Sequence, residues 1–169
     1  LAFQQSHFLN RKERDIIKID MAKNEKNTTN RVMFERLLRF WLPVILWGSV
    51  IFLFSTRPTK PSSQIDWQDF IIKKSAHIVE YAVLTVLLYR ALKESGVDKK
   101  EAGIYAIIMA ILYGASDEFH QSFTPGREPR VRDIFFDTIG GILAMYSIWN
   151  LLPKAPEKLK SWAKSLQII

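Results

Sequence analysis

The chain alternates between long apolar runs and short charged ones. Phe40 to Thr56 (FWLPVILWGSVIFLFST) holds 17 residues with no charge between Arg39 and Arg57. Ser75 to Tyr89 (SAHIVEYAVLTVLLY) follows between Lys74 and Arg90, with His77 and Glu80 near its start. Ala102 to Ser116 is uncharged between Glu101 and Asp117, and Ile134 to Leu152 runs for 19 residues with Asp137 as its one charge. At about 1.5 Å per residue the first run makes roughly 25 Å of helix, enough to cross a bilayer core once its interfacial flanks are counted. The pattern predicts an all-α polytopic membrane protein with about four transmembrane helices. A soluble helical bundle is the alternative, because the second and third runs are only 15 residues each and buried core helices reach that length.

The segments between the runs have their own patterns. Pro58, Pro61, Ser62 and Ser63 mark a loop. After it, Ile65, Trp67, Phe70, Ile71 and Ile72 alternate with Asp66, Asp69, Lys73 and Lys74, which predicts a short interfacial helix before the second span. Arg90 to Glu101 is a short loop with Gly96 as a helix stop. Beyond Pro153, Leu159, Trp162 and Leu166 recur three and four apart among lysines. A basic amphipathic surface helix and a frayed tail are equal readings of that segment. The expected organisation is a cytoplasmic, largely flexible segment at 1–36, a membrane domain at 37–152 and a basic amphipathic cytoplasmic tail at 153–169. Met21 opens a short polar tail, so residues 1–20 are expected to be an upstream-start artefact. No A-x-A-like site follows the first apolar run, which is expected to remain as an anchor.

Charge orients this arrangement. The 169 residues carry 24 Lys and Arg against 17 Asp and Glu, a net charge of +7, and the mean hydropathy of -0.02 averages over two unlike kinds of segment. With the N-terminus inside, 17 of the basic residues fall on the cytoplasmic side and 7 outside, so both termini are predicted to be cytoplasmic. Basic residues confined to membrane flanks argue for a lipid bilayer as partner and against nucleic acid. The aromatic residues, 12% of the chain, fit interface belts, with Trp41, Trp67 and Trp149 as the clearest cases. The absence of cysteine excludes a disulfide framework, thiolate metal centres and a Cys nucleophile. With no internal repeats, alternating-access transport by a monomer is disfavoured.

The chemistry gathers at helix ends that the predicted topology places on the outer side. Lys74, His77 and Tyr81 are spaced i, i+3, i+7, with Glu80 beside them on the same broad face. Asp117, Glu118, His120 and Gln121 end the third run, and Asp133 and Asp137 open the fourth, followed by Gly140 and Gly141, where a neighbouring helix can approach closely. Ionisable groups at membrane depth are costly unless they pair or serve a function. In a binding mechanism, Lys74, Tyr81, Asp117, Gln121, Arg127, Asp133 and Asp137 would engage a lipid-linked cell-wall precursor or an anionic lipid headgroup. In an enzyme, Glu118 or Glu80, with His120 or His77, would do acid–base work while Arg127 clamps a phosphate or carboxylate. The plain structural alternative is a polar lock, in which Glu80 or Asp137 pairs with Lys74, Arg127 or Arg132. No cofactor is expected. A metal site on His77 and His120 with Glu80, Glu118 or Asp133 would lack any recognised ligand spacing.

The strings KSAHIVEYAVLTVLLYRAL and YGASDEFHQSFTPGREPRVRDIFFDTIGGILA resemble the VanZ-like family of small bacterial membrane proteins. That family's pattern runs K-x-x-H-x-x-E-Y, then Y-G-x-x-D-E-x-H-Q-x-x-x-P-G-R, then D-x-x-x-N/D-x-x-G. Its positions fall here on Lys74, His77, Glu80 and Tyr81, on Tyr113, Gly114, Asp117, Glu118, His120, Gln121, Pro125, Gly126 and Arg127, and on Asp133, Asp137 and Gly141. Asp137 departs from the pattern, where Asn is the commoner residue. The resemblance implies a bacterial cytoplasmic membrane protein and an association with teicoplanin and lipoglycopeptide resistance. It supplies no established biochemical activity.

Overall fold

The computed structural model describes residues 11–56, 67–124 and 131–169. All regular structure in them is helical: α1 (Arg11–Ser55), α2 (Trp67–Glu94), α3 (Lys99–Gln121) and α4 (Val131–Tyr146). A π-helical turn, Ser147–Leu151, and a 3-10 turn, Leu152–Lys154, continue α4 before α5 (Glu157–Ser165). The chain divides into two units, Leu1–Leu38 and Arg39–Ile169.

In the first unit, every described side chain of α1 is exposed, Ile16, Ile19 and Phe34 included. Arg31 pairs with Glu35 on this surface, and Thr28 and Thr29 donate to the carbonyls four residues back. The sequence suggests a flexible segment here, whereas the described part of it is helical. Without a buried face, such a helix is held by local bonds and gains little from packing.

In the second unit α2 is the hub: it packs most extensively on α4, then on α3, and α3 packs on α4. Small residues allow this. Ala102, Ala106, Ala110 and Gly114 recur every four residues and are all buried, giving α3 a flat stripe against its neighbours. On α4, a Cβ added to Gly140 would lie 2.3 Å from the Ile78 carbonyl oxygen, so only glycine lets α4 meet the backbone of α2 there. The part of α1 in this unit attaches through large side chains. Trp47 Nε1 donates to the Glu80 carbonyl at 2.9 Å, and the Tyr113 hydroxyl donates to the Gly48 carbonyl at 2.6 Å.

Among the described residues, three helical stretches are long and apolar enough to cross a membrane: Glu13–Ser55, Lys99–Gln121 and Val131–Lys154. Their outward faces carry apolar side chains such as Ile45, Leu53, Ile104, Leu112, Phe135 and Ile142, a surface suited to hydrocarbon rather than water. α2, which bears Lys74, His77, Glu80 and Arg90, is not one of the three. No break separates 67–72 from the rest of α2, because no glycine or proline interrupts the segment; the expected interfacial helix is the exposed first turns of α2. Ile65 and Asp66 lie outside the described residues.

The connections follow local rules. Gly96, at φ 97°, ends α2: its N–H bonds to Lys93 O and that of Val97 to Leu92 O, the paired closure that favours glycine. Asp98 then caps α3 by accepting from the Lys100 N–H at 2.9 Å. The C-terminal segment is helical and docked: Ala163 is buried, Ile168 and Ile169 pack on the core, and Lys93 donates to Gln167 O. Leu159 and Trp162 stay exposed, as a helix resting on a membrane surface requires.

Candidate functional site

α2 and α4 are joined by two polar side-chain pairs on successive turns. The Lys74 ammonium donates to Asp133 Oδ1, and one turn deeper His77 Nδ1 lies 3.0 Å from Asp137 Oδ1. The i, i+3 spacing on α2 and the i, i+4 spacing on α4 put both members of each helix on one face, which explains the register. Lys74 also lies over the rings of Phe70 and Phe136, which meet edge to face at 6.4 Å and wall the outer pair from its surroundings. The pairs deepen along the helices: the side chains of Lys74 and Asp133 are 12% and 15% exposed, His77 19% and Asp137 only 2%.

Below them the site passes to α3. Tyr81 is fully buried one turn beyond His77, beside Gly114. A Cβ on Gly114 would lie 3.1 Å from Asp137 Oδ2 and 3.5 Å from the Tyr81 hydroxyl, so both polar atoms face the bare backbone of this glycine. Asp117 is buried and accepts from Gln121 Nε2 at 2.8 Å through Oδ2. Tyr81 lies in the electrostatic field of Asp137, Asp117 and Glu118, and Glu118 is itself buried. Next to it the half-buried His120 ring packs against Phe52 with centroids 4.3 Å apart. The Tyr81 hydroxyl, Asp117 Oδ1 and His120 Nδ1 are buried without a hydrogen-bond partner among the described residues. Buried polar atoms are rarely left so, and each such group calls for an explanation.

The structure therefore brings Lys74, His77, Tyr81, Asp133 and Asp137 together, with Asp117 and Gln121 on the adjoining face of α3. At Glu80, half-buried, the backbone carbonyl receives the Trp47 indole. Arg127, with Pro125, Gly126 and Arg130, lies outside the described residues, while Arg132 sits over the Phe70 ring at 5.0 Å. Sequence reasoning missed Phe70 and Phe136 as the walls around Lys74, and Thr85, whose buried hydroxyl lies where a Cβ on Gly141 would come within 2.9 Å. The four-residue ladder of small residues on α3 was the signal that could have placed Gly114 against α2. Among the described residues no group of three or more His, Asp or Glu side chains gathers closely enough to hold a metal ion.

Chemically, the site offers a charge-paired rim and a buried acidic interior. With its proton on Nδ1, His77 donates to Asp137 and keeps Nε2 as a basic nitrogen. No curated protein and no solved structure matches the chain. The VanZ/LLP1 family model matches residues 40–152, from the first apolar run to the end of the last and across every residue of the paired cluster, and the chain belongs to that family.

Proposed function

We propose that this VanZ-like, multi-pass membrane protein acts at the cell envelope, where its polar cluster engages an envelope lipid or a lipid-linked cell-wall precursor and so raises tolerance to teicoplanin-type glycopeptides. α2 crosses the bilayer with the three more apolar stretches, giving four spans, and the basic residues favour both termini in the cytoplasm of a bacterial cell. The cluster then opens toward the outer leaflet, where such precursors carry their sugars and peptides. The observation that carries the reading is the trio of buried polar atoms on Tyr81, Asp117 and His120 that have no hydrogen-bond partner among the described residues, beside the Lys74–Asp133 ion pair and the His77–Asp137 hydrogen bond. A lock built only to hold helices together would satisfy its own buried atoms.

A second reading is favoured by the His77–Asp137 pair. A carboxylate that fixes the tautomer of a partly exposed histidine is the arrangement of a general base, with Glu118 and His120 as further acid–base groups and Arg127 as an anion clamp. The two readings separate on Glu118→Gln, which keeps shape and removes proton transfer and negative charge. The test is teicoplanin susceptibility of a host without its own homologue, expressing wild type, Glu118→Gln or Arg127→Ala at matched membrane levels. Binding predicts that wild type raises tolerance, Glu118→Gln retains most of it and Arg127→Ala loses it. Loss with Glu118→Gln at unchanged abundance supports catalysis, and no effect of wild type overturns the envelope role.

A further inference from the structure

A second charged cluster lies at the other end of α2. Arg39 immediately precedes the apolar run of α1, and Arg90 immediately follows that of α2. Both guanidinium groups approach one ring: the Arg39 and Arg90 carbons lie 5.7 and 5.5 Å from the centroid of Phe40, which is only 5% exposed. The Trp41 indole donates to Ser95 Oγ at 3.1 Å and fixes α1 against the end of α2 beside the pair.

Two cations on one ring repel each other. Burial opposes the Arg90 charge, the neighbouring Arg39 adds to this, and Glu94 offsets part of it. Arg90 Nε is buried with no hydrogen-bond partner among the described residues. A ring face attracts a guanidinium but cannot accept its in-plane N–H bonds, so the aromatic contact leaves that edge unanswered. Lys93, one turn on, is committed elsewhere, donating to Gln167 O at 2.8 Å. What two neighbouring guanidinium edges at headgroup depth match is a phosphate, whose oxygens accept from the planar fork and whose charge removes the repulsion.

The adjacent surface argues for the source of that phosphate. Leu42 and Leu46 follow Arg39 at i+3 and i+7, on its own face of α1, and are 47% and 57% exposed. A free phosphate has no use for an apolar track, whereas a phospholipid carries its acyl chains beside its phosphate. We infer that Arg39 and Arg90, gathered on Phe40, form a binding site for the phosphate of an anionic phospholipid whose acyl chains lie along Leu42 and Leu46. The site is independent of the cluster around Lys74 and stands whatever that cluster does.

The experiment is lipid binding by the full chain in detergent micelles, read by native mass spectrometry and by the shift in thermal unfolding. The probes are phosphatidylglycerol, phosphatidylcholine and inorganic phosphate. Phosphatidylglycerol is expected to bind in preference to phosphatidylcholine, with inorganic phosphate neither binding saturably nor competing. Arg39→Gln together with Arg90→Gln weakens phosphatidylglycerol by roughly tenfold or more, the loss of at least one charge-assisted hydrogen bond, while Lys100→Gln leaves it unchanged. If Arg90→Gln fails to fold, the single change at exposed Arg39 still reads the site, and Arg90→Lys restores charge without the fork. Equal binding of the two lipids, or full binding by the Arg39→Gln variant, overturns the proposal. Saturable binding of inorganic phosphate that excludes phosphatidylglycerol overturns the lipid assignment.

Discussion

His77 and Asp137 share a hydrogen bond in a place where neither side chain can be removed alone. With Asp137 2% exposed, His77→Ala would strand a carboxylate among packed helices. Breaking a buried pair from one side costs about 3–5 kcal/mol, so this variant is expected to unfold at markedly lower temperature in detergent; an unchanged midpoint would contradict the pairing. Glycines give a sharper contrast. At Gly140 an added methyl meets the Ile78 backbone at 2.3 Å and α4 must move, whereas at Gly114 the nearest atom is the Asp137 side chain at 3.1 Å. Gly140→Ala is therefore expected to cost about 1–3 kcal/mol or more and to lower membrane abundance. Gly114→Ala should keep the fold but abolish glycopeptide tolerance by filling the space that Tyr81 and Asp137 face. Equal stability of the two variants, measured by thermal unfolding, would contradict this.

At the scale of elements, the spacing of Lys74, His77 and Tyr81 was legible because a helix converts i, i+3, i+7 into one face, and Asp133 with Asp137 did the same on α4. Which partner each would choose was not legible. The sequence offered Lys74, Arg127 and Arg132 as partners for Asp137, whereas Lys74 takes Asp133 and the register, with its close backbone approach at Gly140, delivers His77 to Asp137. The start of α2 was misjudged for a related reason: alternating Trp67, Phe70, Ile71 and Ile72 reads as a separate interfacial helix, but periodicity carries no signal for a joint when no glycine or proline supplies one. The C-terminus could not be decided from spacing, since docking through Ile168 and Ile169 is a tertiary event. Deleting Gln167–Ile169 removes that packing and the acceptor of Lys93, and is expected to cost about 2–4 kcal/mol by the apolar surface exposed. Thermal unfolding of the truncated chain checks this, and a midpoint equal to wild type would show that the tail does not support the core.

For the whole molecule, the all-helical architecture and the apolar stretches Lys99–Gln121 and Val131–Lys154 follow the uncharged runs closely. α2 was harder to class, because the residues that make it the hub of the site also dilute its apolar character. The family followed from the strings around Asp117 and Gln121, whose spacing is far more specific than composition. The central claim is that the paired cluster serves a ligand rather than merely holding α2 to α4, and exchanging the charges of Lys74 and Asp133 separates these roles. The measurement is teicoplanin tolerance and thermal stability of the Lys74→Asp, Asp133→Lys double variant beside each single change, in a host without its own homologue. The account predicts that the singles lose stability, that the double variant recovers most of it, and that tolerance stays at the level of the empty host because the positive charge no longer stands where the ligand meets it. Recovery of tolerance together with stability would contradict the account and leave the cluster as a structural tie.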